Sequence, residues 1–158
     1  MSIGIIYLRP IAVARIRGFG LHREAASEAW SRMLSWLDDR KYRVEAARGF
    51  GMVHKLQHHG TDQKEATYEA CVELFDGLKV EYDAGIDTAY VPGGAYLRRR
   101  HRGPIGELGD ALRQMRTEEV SRRGLAFDVW RPMIEVYLND FKRTGEPPKI
   151  DLCVPVMA

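Results

Sequence analysis

The sequence predicts an α+β fold: duplicated strand-helix-strand-strand units with pseudo-twofold symmetry, the two main helices packed on one face of an antiparallel sheet. Three observations lead there. First, the chain echoes itself 82 positions on: Cys71-Val72 falls on Cys153-Val154 (153 − 71), Leu56 on Leu138, Ala29 on Ala111 and Met33 on Met115. Upstream the spacing becomes 83, where Gly20 meets Gly103 and Val13 meets Tyr96, the change a small loop insertion produces. Second, each copy carries one apolar stripe of helical period. Third, short β-branched runs bounded by Gly and Pro flank both stripes. Two copies are too few for a solenoid. They suit one domain over residues 1–158, with half-repeats of about 1–80 and 81–158, whose seam is where a ligand cleft tends to form.

Taken in order, Ile3 to Leu8 reads as a strand that Pro10 ends, and Ile11 to Arg17 as a second, broken by Gly18 and Gly20. From His22 to Asp39 the apolar positions Ala26, Ala29, Trp30, Met33, Leu34 and Leu37 give an amphipathic helix. Gly49 and Gly51 suggest a loop before a strand over Met52 to His58, with a further strand over Thr67 to Phe75. In the second copy, Tyr90 to Arg102 has strand character interrupted by Pro92-Gly93-Gly94. Gly103-Pro104 then opens a helix striped by Ile105, Leu108, Ala111, Leu112 and Met115, proline being tolerated in a first helical turn. Met133 to Leu138 and Ile150 to Val156 read as strands joined by a loop over Asn139 to Pro148.

Composition narrows the function. A net charge of +2, with 45% hydrophobic and 29% charged residues, is ordinary for a globular domain and lacks the basic bias of a dedicated nucleic-acid binder. No apolar segment reaches bilayer-spanning length, and the N-terminus lacks a signal-peptide pattern. The expectation is a cytoplasmic protein with no membrane partner. The fold begins at residue 3, so no DNA-reading domain and no direct DNA contact are expected. The two cysteines read as small buried hydrophobes rather than a disulfide framework.

Common catalytic signatures are missing: there is no phosphate loop, CxxC, HExxH or GxSxG, and Gly103, Gly106 and Gly109 have the wrong spacing for a dinucleotide turn. His58-His59 lacks companion ligands, so no metal and no cofactor are expected. The run Arg98-Arg99-Arg100-His101-Arg102 alternates between strand faces and cannot form one patch; an edge-protecting role stands beside a contact with an anionic partner.

Ile134-Glu135-Val136-Tyr137-Leu138 places Glu135 and Tyr137 on one strand face and three apolar side chains on the other. Such an acid either faces solvent or stands in a cavity, where it would recruit a cation or serve as an acid or base. Trp30, Trp36, Tyr68, Tyr90, Tyr96, Trp130 and Tyr137 are aromatics that could line that cavity, with core packing as the alternative for most and the first reading for Trp30.

Val91-Pro92-Gly93-Gly94-Ala95-Tyr96, His101-Arg102-Gly103-Pro104-Ile105, Glu135-Val136-Tyr137-Leu138-Asn139-Asp140 and Asp151-Leu152-Cys153-Val154-Pro155-Val156 together resemble the GyrI-like effector-binding family. That family includes ligand-sensing domains of AraC- and MerR-type multidrug regulators and stand-alone gyrase-inhibitory proteins. The resemblance implies a ligand cleft between the two main helices at the seam, in a stand-alone protein that senses or sequesters hydrophobic or lipophilic-cation ligands, with Glu135 as the cleft carboxylate. It also implies two alternatives. One is a hydrolase of strained cyclopropane compounds using Glu135, with Tyr137 or Tyr68 orienting water or substrate. The other is a protein that contacts a transcriptional regulator or DNA gyrase. Gly20-Leu21-His22 stands where the family often has Gly-Pro-Tyr, and the stretch Arg116 to Arg131, which holds Trp130, carries no family motif. At the spacing of 82, Glu135 falls opposite Val53 and Tyr137 opposite Lys55, so the symmetry is expected to break at the site.

Overall fold

A computed structural model describes residues 3–43, 48–54, 66–138 and 149–157. The strands are β1 (Ile3–Leu8), β2 (Ile11–Phe19), β3 (Gly49–Val53), β4 (Ala66–Glu73), β5 (Asp87–Val91), β6 (Gly94–Arg100), β7 (Ala126–Phe127), β8 (Met133–Tyr137) and β9 (Ile150–Met157). The principal helices are α1 (His22–Asp39) and α2 (Leu108–Gln114). Eight strands lie in the order β1-β6-β9-β8-β3-β4-β2-β5, and the short β7 pairs with β9. Every pairing is antiparallel.

This order reads the same from both ends: β2, β3 and β4 match β6, β8 and β9, and the edge strands β5 and β1 are exchanged between the halves. β1 pairs with β6 and β5 pairs with β2, so each half completes its sheet with a strand carried by the other. The exchange forces curvature. Arg9 and Pro10 alone separate β1 from β2, a reach of roughly 11 Å. In a flat sheet those strands, first and seventh in order, would lie about 29 Å apart. The sheet therefore curls until its ends approach, and a Cβ added at Gly93 would lie 2.8 Å from Pro10 Cδ. Inside the curl, Val13, Phe50, Met52, Cys71, Val91, Tyr96, Ile134 and Cys153 form one apolar cluster with no helical residue in it.

The helices cover the other face. α1 buries Ala25, Ala29, Met33, Trp36 and Leu37, each large buried side chain contributing about 1.5–3 kcal/mol. It lies close against β2 at Gly18, where an added Cβ would be 2.3 Å from the carbonyl oxygen of Ala25. The expected bounds of α1 hold because its stripe is unbroken. The second helical run is longer than its sequence pattern shows. A 3₁₀ turn at Ile105–Glu107 leads into α2, then a π turn at Met115–Glu119 and a last turn at Val120–Arg122. Leu108, Leu112 and Met115 keep helical spacing, and the wide π turn rephases the run so that Val120 is buried too.

Two expectations are corrected here. The strand read from Met52 onward lies over Gly49–Val53 instead; glycine in a strand marks close approach by another group, and Gly51 has two such neighbours. The strand's expected end, Lys55 to His58, lies outside the described residues, as does the loop read over Asn139 to Pro148. The register also moves the symmetry partner of Glu135. Gly51 pairs with both Ala70 and Glu135, while Glu135 pairs with Leu152, and Leu152 lies 82 positions beyond Ala70. Glu135 thus corresponds to Gly51, and Tyr137 to Val53, because β3 begins earlier than the echo implies.

Candidate functional site

Alternation along β8 points Ile134 and Val136 into the curl and Glu135 and Tyr137 toward the helices. Glu135 has 0% exposure. Its Oε1 accepts hydrogen bonds from Tyr68 at 2.8 Å and Tyr137 at 2.9 Å, and the two hydroxyls lie 3.2 Å from each other. Its Oε2 lies 2.6 Å from His22 Nε2. Trp30 Nε1 donates to the Tyr68 hydroxyl at 2.7 Å, leaving that hydroxyl's own proton for Glu135. Burial, followed by the nearby Glu135 charge, pushes both phenols well above their ordinary range, so both remain donors at neutral pH.

Each group is placed by a different element. β4 projects Tyr68 and β8 projects Glu135 and Tyr137. At Gly51 an added Cβ would fall 2.0 Å from the Tyr68 hydroxyl and 2.7 Å from Glu135 Oε1; the missing side chain is what gives them room. Thr67 Oγ1 donates to the Gly20 carbonyl at 2.7 Å, fixing the turn before α1 and so the position of His22. The His22 ring meets Tyr68 edge-on at 5.6 Å, and Trp30 meets Tyr137 edge-on at 5.1 Å.

Above this network lies a cavity of about 400 Å³ between α1 and the start of the second helical run. His22, Ala26 and Trp30, one stripe of α1, form one wall; Ile105, Gly106 and Leu108 form the other; Tyr137 lies at the floor, with Arg23 and Ser27 on the rim. Glu135 and Tyr68 lie beneath this lining.

Of the residues the sequence proposes, Glu135, Tyr137, Tyr68 and Trp30 come together. Tyr96 does not: it faces the opposite side of the sheet, inside the curl, where its hydroxyl donates to Pro92 O at 2.5 Å and Arg131 lies over its ring at 4.8 Å. Strand parity decides this, since Tyr96 shares its face with Arg98 and Arg100, whereas Leu97 faces the helices. Trp130 is also elsewhere, 89% exposed in a turn where Asp128 accepts its backbone N–H. The basic run is a correction to strand alternation: Arg99 reaches Gln114 and Arg100 reaches Asp151, but β6 ends at Arg100, and Arg99, Arg100, His101 and Arg102 all line one cavity of about 500 Å³ beside Glu107 and Asp110. Sequence reasoning left out His22, Gly51 and Thr67. His22 was legible as the first member of the i, i+4, i+8 stripe that leads to Trp30.

A curled, duplicated antiparallel sheet with a helix-walled aromatic cleft over a buried acid is the architecture of a small-molecule binding domain. The chain belongs to the GyrI-like small molecule binding domain family, whose model matches residues 1–157. Among solved structures it is similar to EcmrR in an EcmrR–DNA complex, with TM-score 0.69 and 14% identity over 98% of this chain. This chain spans 57% of the EcmrR chain. It is similar to SAV2435 bound to tetraphenylphosphonium, with TM-score 0.60 and 12% identity over 99% of this chain and 94% of that one. It is also similar to a hydrolase from Listeria innocua, with TM-score 0.57 and 15% identity over 99% and 92%. At these identities the likeness is one of fold. No protein of curated function matches the sequence. Among the described residues no helix is long and apolar enough to cross a membrane, and no His/Cys/Asp/Glu group could hold a metal ion.

Proposed function

We propose that this domain binds hydrophobic, aromatic small molecules in the cleft between α1 and the start of the second helical run, as a sensor or sequestering protein. The observation that carries the reading is the layering of the site. An aromatic and aliphatic cavity of about 400 Å³ stands over a polar network whose described members hold one another in place, which is the composition of a ligand pocket. Trp30 and Tyr137, packed edge-on, offer ring surface to a flat or branched apolar ligand. Glu135 is buried beneath them, and a lipophilic cation such as the tetraphenylphosphonium bound to SAV2435 would be drawn to it where the carboxylate is accessible.

The test is a thermal-shift and fluorescence titration with N-phenyl-1-naphthylamine, a neutral apolar probe, and with tetraphenylphosphonium. The wild type should bind the neutral probe saturably, and Trp30→Ala should weaken that binding at least tenfold. Equal binding by Trp30→Ala, or none by the wild type, removes the proposal.

A hydrolytic reading has its own observation. A carboxylate held against an imidazole nitrogen orients the ring as a general base, and His22 with Glu135 makes that pair, with Tyr68 and Tyr137 behind it. Turnover of an activated cyclopropane ester by the wild type, lost in both His22→Ala and Glu135→Gln, would support it. Absence of turnover, or full activity in either variant, would exclude this mechanism. Nothing in the site bears on a gyrase or regulator contact.

A further inference from the structure

We propose that His22 is the specificity-determining residue of the cleft: it occupies Glu135 as the protein's own counter-group and makes the pocket select neutral hydrophobic ligands over permanent cations. The inference rests on the cleft being a ligand site. It adds which chemical class that site takes and which side chain decides it.

The argument begins with the acceptor capacity of Glu135. Its Oε1 is engaged by two phenols and its Oε2 by His22, and the side chain has no exposed surface. A ligand in the cavity therefore meets Tyr137 and His22, not the carboxylate. The groups on the cavity wall able to carry full charge are His22 and Arg23, both basic. A permanent cation entering this lining gains no direct contact with Glu135 and sits beside the Arg23 guanidinium. Burying charge without a partner is unfavourable, whereas a neutral aromatic molecule loses nothing by the arrangement.

His22 is held in this role from three sides. Its Nε2 is bound to Glu135, its ring packs against Tyr68, and Gly109 lies opposite it, where an added Cβ would be 3.5 Å from Nδ1. Its helix start is pinned by the Thr67 bond to Gly20. Removing the imidazole opens a direct path from the cavity to Oε2 without touching the two phenols on Oε1.

Titration of tetraphenylphosphonium and N-phenyl-1-naphthylamine against wild type, His22→Ala and His22→Ala/Glu135→Gln tests this. The wild type should favour the neutral probe. His22→Ala should bind the phosphonium at least tenfold more tightly than wild type, raising the ratio of phosphonium to neutral-probe affinity, and the double variant should lose that gain. Should the alanine variant not fold by circular dichroism, His22→Ser carries the same prediction. Equal phosphonium affinity in wild type and His22→Ala, or a gain that persists in the double variant, overturns the inference and leaves the cleft reading standing. Failure of both probes to bind any variant overturns both.

Discussion

Gly51 and Glu135 face each other across the β3–β8 pairing at the centre of the sheet, and the absence of a side chain at one is what allows the other to be buried with its partners. They are also counterparts in the duplication. The candidate site therefore sits where two equivalent positions diverge, one into the smallest residue and the other into an acid.

Gly51→Ala tests that relationship. The new methyl would fall 2.0 Å from the Tyr68 hydroxyl, forcing that ring or the strand to shift. Overpacking of this kind costs about 1–3 kcal/mol, measurable by urea denaturation. Binding of N-phenyl-1-naphthylamine should fall with it, because Trp30 and Tyr137 rest on the displaced phenol. A variant with wild-type stability would show that the close approach is not required.

The two site phenols should govern the alkaline limb of stability. Burial and the Glu135 charge raise Tyr68 and Tyr137 well above their ordinary value, so the folded state holds their protons more tightly than the unfolded state does. Their contribution is then complete below about pH 10, the unfolded value, and declines as pH rises beyond it. In Tyr68→Phe/Tyr137→Phe the alkaline decline should be shallower. Spectrophotometric titration should show Tyr68 and Tyr137, together with the buried Tyr96, whose hydroxyl burial also raises, as the last of the seven tyrosines to ionise.

On the other sheet face, Glu69 should act at the acid end. Burial raises its carboxyl, but the hydrogen bond from His54 and the charges of His54, Arg15 and Arg17 outweigh it and hold the carboxyl below its ordinary value. Arg15 also pairs with Glu69 at 2.7 Å. The sign is opposite to that of the phenols: this stability is present above about pH 4.5 and is lost as pH falls through the lower, folded value. Glu69→Gln should cost about 2 kcal/mol at neutral pH and flatten the acid limb of a stability–pH curve.

Both thiols should be inert in the native state. Cys71 and Cys153 are free and buried. Burial pushes Cys71 well above its ordinary value and Cys153 up to about 12, removing the thiolate that reacts. Ellman's reagent should detect no thiol until denaturant is added and two afterward. A fast-reacting thiol in the folded protein would contradict the buried placement.

Trp130→Ala should leave probe binding unchanged and alter stability by less than about 0.5 kcal/mol, since its side chain is 89% exposed. Its neighbour Arg131 behaves differently: it bonds to Asp128 and to the carbonyls of Gly93, Ala95 and Val156, so Arg131→Ala should cost about 1–3 kcal/mol.

Much of this was legible in the chain because it follows from periodicity. The stripe from Ala26 to Leu37 sets α1, and alternation in β8 sends Glu135 and Tyr137 to one face. The 82-residue echo sets a two-part sheet. Each is local, fixed by the angle between successive side chains, and needs no knowledge of what lies opposite. The glycines of β3 read as a loop for the same reason: local pattern registers their flexibility, while the group that fills the space above Gly51 is contributed by β4 and β8.

What tertiary structure alone decided is everything that depends on which strands neighbour one another. The exchange of β1 and β5 curls the sheet, and the curl gives Tyr96 an interior that strand character could not reveal. Register makes Gly51, not Val53, the counterpart of Glu135. The packing of α1 on β4 brings His22 within hydrogen-bond reach of an acid 113 positions away. A sequence specifies which side chains can be apolar, charged or absent. Three-dimensional packing specifies which of them share a few ångströms, and at that range one imidazole decides whether a buried carboxylate is open to a ligand.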